Sequence, residues 1–254
     1  MDVRSSEPNA DNPIVRRSNI WDLAIYLICG FGLFSAAGAV AGKLLGANAK
    51  GLLFNSIIFI FNLIFLGGTA LVLGAGRGRF TLEQIGLRPV RWKRGWLVLA
   101  LGLVVLLLPV RGALGLLVEY LVNGNLESLA LRSQIVQPQG AGWLSFVVTL
   151  LFVGILVPIS EELFFRGAIY TWLRERASMW PAVLISAALF GLGHFDSLGV
   201  VAASFVMGAV NAVVFEKTRS IWVPIAIHAA NNSLAVILVY LATLLVKMLP
   251  GLTG

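Results

Sequence analysis

Charge is scarce in this sequence, and the scarcity sets the class of molecule. Asp, Glu, Lys and Arg make up 12% of the 254 residues, against 58% hydrophobic. A soluble domain carries roughly 25% charged residues, so an integral membrane protein is implied. Cysteine is nearly absent too. Cys29 stands alone, which excludes an intramolecular disulfide and a cysteine cluster for metal. Apolar runs near or above the length of a spanning helix point to helices, since the strands of a transmembrane barrel would alternate polar and apolar at a period of two, and no serine or cysteine stands in a recognisable nucleophile motif.

What is present are long apolar runs. Seven spans are read, at about 20–42, 51–75, 95–118, 142–170, 180–195, 198–215 and 221–248, several near or above the roughly 20 residues a spanning helix needs. The fold class expected is an all-α polytopic bundle of about seven helices. The net charge of +7 does not call for nucleic acid, because topology explains it. With the N-terminus cytoplasmic, fourteen basic residues lie inside, among them Arg4, Arg16, Arg17, Arg91 and Lys93, while Lys43, Lys50, Arg132 and Lys247 fall outside. Arg111, within the third span, is expected to reach toward the outer interface. All seven tryptophans lie near span ends, where amphipathic rings favour the headgroup region. Localisation in the cell membrane follows.

Residues 1–19 form a polar tail, and the apolar run after them is too long for a signal-peptide core, so it reads as a retained anchor. Residues 20–254 read as a single membrane domain without internal repeats. In the loop from Arg77 to Arg94, Thr81-Leu-Glu-Gln84 fits a capping box opening a short interfacial helix that touches anionic lipid; the basic stretch 88–94 follows. The loop at about 119–141 is expected outside. Gly38-Ala-Val-Ala-Gly42 suits close helix packing.

The rare ionisable groups concentrate on three spans. Glu161-Glu162-Leu-Phe-Phe-Arg166 follows an apolar run, and an uncompensated charge at bilayer depth costs about 2.5 to 3.5 kcal/mol, so a functional site is the default reading. Glu162 and Arg166 stand in the favourable order for an i,i+4 ion pair, leaving Glu161 about 100° round the helix to face something else. The two histidines of the chain also lie in apolar spans: His194 closes Phe190-Gly-Leu-Gly-His194, and His228 opens His228-Ala-Ala-Asn-Asn232. Spacing puts both Asn231 and Asn232 within reach of the His228 face. Pro158 and Pro224 precede two of these motifs and are each expected to remove a backbone bond and kink a helix near the site.

Such a set suits hydrolysis. A desolvated carboxylate can act as general base on water, an imidazole can orient that water, and imidazole and amide donors can stabilise an oxyanion. Three other readings are weighed: a zinc protease, although no His-Glu-x-x-His is present and the histidines sit on different helices; a proton-coupled transporter, although no paired halves are visible; and a non-catalytic membrane partner such as an immunity factor.

The three motifs, in order, resemble those of the CPBP family of intramembrane glutamic endopeptidases, which includes CAAX prenyl endopeptidases and bacteriocin-processing or self-immunity proteins. The resemblance covers about residues 142–235. It implies that Glu161, assisted by His194, activates water, that His228 and Asn232 form the oxyanion hole, and that Glu162 and Arg166 support the site. It favours Asn232 over Asn231. It further implies a peptide or protein substrate, lipidated or not, with no cofactor. The prenyl endopeptidases of the family look like eight-helix proteins, one helix more than is read here. Matching the depths of Glu161, His194 and His228 requires a fourth helix continuing to about Leu173, long and tilted or kinked, and a cavity open to the cytoplasmic side.

Overall fold

Apolar runs of this length fold as helices because a helix satisfies its own backbone groups where no water can. In the computed structural model, residues 18–46, 51–90, 94–125, 142–195 and 197–248 are described, and every regular element among them is helical. Six helices are long and apolar enough to cross a membrane: α1 (Ile20–Leu45), α2 (Gly51–Ala75), α3 (Arg94–Asn123), α4 (Trp143–Arg174), α6 (Leu198–Thr218) and α7 (Trp222–Met248). The seventh, α5 (Met179–Leu192), has 14 residues. It rises about 21 Å, short of the roughly 30 Å of a full span, and His194 follows two residues after its C-terminal end. The long fourth helix is present, 32 residues from Trp143 to Arg174, and it contains π-helical stretches at Leu150–Leu156 and Leu163–Tyr170.

The packing is uneven. α6 lies against α3, α5 and α7, and α7 also packs on α3 and α4. All eight residues of Leu163–Tyr170 are buried, whereas only Leu107, Gly115 and Glu119 are buried in the 30 residues of α3. α3 and α6 approach closely where Gly115 meets Gly199: a Cβ on Gly199 would stand 2.3 Å from Gly115 O.

One end of the bundle gathers polar contacts. Asn19 caps α1 in a reciprocal box with Asp22, and Asp22 pairs with Arg79 at 3.0 Å. Trp172 Nε1 donates to Asn19 O at 2.8 Å, Arg174 reaches Glu216 at 3.1 Å, and Arg88 Nε donates to Arg219 O. The start of α1, the segment 77–90, the end of α4 and the start of α7 therefore share this end.

Several expectations change. The Thr81–Gln84 box forms, with Thr81 N donating to Gln84 Oε1 at 2.7 Å and Gln84 N to Thr81 Oγ1 at 3.0 Å, yet it opens a run of turns and no helix follows among the described residues as far as Val90. Phe80 and Ile85 are the reason: both are buried and pull the segment into the bundle. Gly86, at φ +85°, lets it close over α6, since a Cβ there would lie 2.4 Å from the Phe215 ring. Trp172 is buried, unlike the exposed Trp21, Trp143, Trp180 and Trp222. Pro224 falls in the first turn of α7, where a helix N–H has no intrahelical partner, so it removes no bond. A Cβ on Gly38 would stand 3.4 Å from Ile58 Cδ1, whereas one on Gly42 would meet nothing within 4 Å. Arg4, Arg16, Arg17, Lys50, Arg91, Lys93 and Arg132, most of the 1–19 tail and most of the 119–141 loop lie outside the described residues.

Candidate active site

α4 brings Glu161 and Glu162 to the middle of the bundle, about 20 Å from its Arg174 end. Their neighbours come from α5, α6 and α7, and the two carboxylates are held differently.

Glu162 is enclosed. It and Arg166 are 0% exposed, and Arg166 Nε lies 3.1 Å from Glu162 Oε2. This is an ion pair rather than an aligned hydrogen bond, since the N–H points off that line. Arg166 also donates through Nη2 to Gly208 O at 2.9 Å and stacks 4.8 Å above the Phe190 ring. Glu162 Oε1 accepts from Asn211 Nδ2 at 2.8 Å and lies 2.8 Å from His228 Nδ1. A buried charge persists only when paired and hydrogen-bonded, and each of these contacts meets part of that need.

Glu161 faces the two imidazoles. His194 Nε2 lies 3.8 Å from its Oε1, and His228 Nε2 lies 3.8 Å from its Oε2. The far nitrogens fix which ring atoms carry hydrogen. His194 Nδ1 sits 2.9 Å from Phe190 O, and a carbonyl can only accept, so Nδ1 carries the proton there. His228 Nδ1 likewise donates to the ionised Glu162. Both Nε2 atoms are thereby turned to Glu161. Phe190 packs on both rings, at 4.8 Å from His194 and 5.6 Å from His228.

The two asparagines separate. Asn231 is fully buried, accepting from Arg111 Nη1 at 2.7 Å and donating to Val104 O at 3.1 Å, so it ties α7 to α3. Asn232 is half-buried and donates to Val153 O on α4 at 3.2 Å. Arg111, expected at the outer interface, turns inward; besides Asn231 it donates to Ala203 O at 3.1 Å.

A cavity of about 370 Å³ reaches Asn232, lined also by Arg111, Val153, Ser204 and Asn231. It lies on the side of Asn232 away from the Arg174–Glu216 end of the bundle. Among the described residues, no group of three or more His, Cys, Asp or Glu is arranged to hold a metal ion.

The structure thus brings Glu161, Glu162, Arg166, His194 and His228 into one cluster, with Asn232 one turn along α7 from His228. Sequence reasoning missed Asn211. The signal was available: an amide in the middle of the apolar run 198–215 needs a partner, as intramembrane polar groups do.

The comparisons agree with this core. Residues 143–234 match the family model described as Type II CAAX prenyl endopeptidase Rce1-like. The chain is 37% identical over 84 residues to the Bacillus subtilis protein named "Putative membrane peptidase YdiL", a stretch covering 33% of this chain and 34% of that one. It is 30% identical over 95 residues to an uncharacterized 24.3 kDa protein of Escherichia coli, covering 36% and 44% respectively. The matched stretches therefore span less than half of either relative. No solved structure matches the chain. The three motifs lie within this matched core, so over residues 143–234 the chain is similar to the Rce1-like CAAX endopeptidases, a family of membrane peptidases.

Proposed function

We propose that this protein is a membrane-embedded peptidase that hydrolyses a peptide bond by water attack, with Glu161 as general base. The observation that carries the reading is the position of Glu161: each of its carboxylate oxygens lies 3.8 Å from the Nε2 of a different histidine. A water bound at the carboxylate lies within reach of His194 and gives its proton to Glu161 as its oxygen adds to the scissile carbonyl carbon. Glu161 returns that proton to the leaving nitrogen. The oxyanion formed in between is met by His228 Nε2–H and the Asn232 amide. Because His228 Nδ1 already donates to Glu162, donation from Nε2 requires the imidazolium form, with Glu161 and Glu162 as its counter-ions. Glu162 and Arg166 act through His228: they fix its ring.

The substrate is a peptide or membrane protein whose scissile bond reaches mid-depth. In this reading the end of the bundle bearing Arg79, Arg88, Arg174 and Arg219 faces the cytoplasm, as the excess of basic residues there favours.

The test is comparative peptidomics of cells carrying the wild-type protein or Glu161→Gln, followed by cleavage of the accumulating precursor by purified protein. A folded Glu161→Gln variant is expected to lose at least about a hundredfold in rate, the usual contribution of a general base. Wild-type activity is expected to survive strong chelation, and its loss would favour zinc. A Glu161→Gln variant that keeps the biological phenotype would favour a non-catalytic partner.

A further inference from the structure

Pro158 lies inside α4, three residues before Glu161, and has no N–H to donate. In α-helical register its acceptor would be Gly154 O; in π register it would be Val153 O. The π register runs up to the proline, because Val157 N–H bonds to Phe152 O. Both of those oxygens receive side-chain donors from α7. Asn232 Nδ2 donates to Val153 O at 3.2 Å, and Ser233 Oγ donates to Gly154 O at 3.2 Å. Two consecutive residues of one helix thus serve the two consecutive carbonyls that a proline in another cannot. The absence of a side chain at Gly154 makes room for this: a Cβ there would stand 2.6 Å from Ser233 Oγ and 3.4 Å from Ser233 Cα.

We infer that Asn232 and Ser233 form a clasp replacing the bond that Pro158 removes, and that Ser233 is a positioning residue for the site. The clasp joins α4 and α7 within two turns of Glu161 and of His228, whose separation sets the geometry of the reaction. Asn232 commits one amide hydrogen to the clasp and keeps the second for substrate. The clasp itself stands apart from the hydrolytic reading; its effect on catalysis rests on that reading.

The experiment compares Ser233→Ala, Pro158→Ala and the double variant, each as full-length protein in lipid nanodiscs. Alanine at 158 supplies its own N–H, so the hydroxyl becomes redundant in that background. Backbone amide exchange in residues 155–163 is expected to rise about fivefold in Ser233→Ala over wild type, the equivalent of one hydrogen bond, and not to rise in the double variant over Pro158→Ala. An equal rise in both backgrounds, or none in either, overturns the clasp. For catalysis the probe is one fluorogenic peptide, selected from a library for cleavage that Glu161→Gln abolishes. Ser233→Ala is expected to lower kcat about tenfold with KM within about twofold, as for a misplaced reacting group, and the double variant to cleave as Pro158→Ala does. A loss carried by KM, or the same loss in both backgrounds, overturns the positioning role. Exchange behaving as expected while no peptide shows Glu161-dependent cleavage supports the clasp and overturns the hydrolytic reading.

Discussion

Two helices of this bundle carry an acid and an arginine in otherwise apolar runs, and they handle them in opposite ways. On α4, Glu162 and Arg166 stand four apart and meet at 3.1 Å with no solvent exposure. On α3, Arg111 and Glu119 stand eight apart, about 12 Å along the axis. Arg111 bonds to Ala203 O and Asn231, while Glu119 accepts from Gly199 N at 3.1 Å and from Asn123. Charges one turn apart can neutralise each other within a helix, which can then be buried whole. Charges farther apart recruit partners from neighbours, so α3 is joined to α6 and α7 while most of its surface stays open to lipid.

The comparison predicts unequal costs. Arg166→Met leaves Glu162 as a buried charge without its counter-ion and is expected to destabilise by about 3–5 kcal/mol. Arg111→Met removes hydrogen bonds from a half-exposed cation and is expected to cost about 1.5–3 kcal/mol. Unfolding in mixed micelles with increasing denaturing detergent, at fixed lipid, measures both. Equal losses would break the distinction between self-neutralised and borrowed partners.

Asn211 sharpens it. Its amide donates to Glu162 Oε1 at 2.8 Å from a wholly buried site, alongside His228. Asn211→Ala keeps the Arg166 counter-ion and removes one bond to a charged acceptor, so the expected loss is about 1.5–2 kcal/mol, below that of Arg166→Met. A loss matching Arg166→Met in the same unfolding titration would show that the amide and the guanidinium contribute equally to holding the carboxylate.

How much of this was legible depends on whether a feature is local. The i,i+4 pair and the face of Glu161 turned away from it follow from helical periodicity, the continuation of α4 to about Leu173 follows from matching the depths of Glu161 and the histidines, and all three appear in the structure. So does the capping geometry of Thr81 and Gln84. What that cap opens was misread, because burial of Phe80 and Ile85 is a tertiary matter that a local motif does not contain. The inward turn of Arg111 depends on where α6 and α7 place Ala203 O and Asn231, which spacing along α3 cannot show. Helical spacing likewise does not choose between Asn231 and Asn232: one turn of α7 offers both, the resemblance favours Asn232, and the neighbours on α3 and α4 separate them.

The tryptophans extend the comparison to the polar end of the bundle. Trp180 is 63% exposed and Trp172 is 6% exposed, although both sit at span ends. Trp172 donates Nε1–H to Asn19 O at 2.8 Å and lies under the Arg176 guanidinium at 3.9 Å, so it links the start of α1 to the end of α4. Replacing it by Phe keeps an apolar ring in the site and removes the donor. The expected cost is about 0.5–1.5 kcal/mol, the net worth of one hydrogen bond. Trp180→Phe, at a lipid-facing position, is expected to change stability by no more than about 0.5 kcal/mol. The same unfolding titration reads both. Equal costs would mean that interfacial anchoring governs Trp172 as well, and that its bond to Asn19 does not hold α1 against α4.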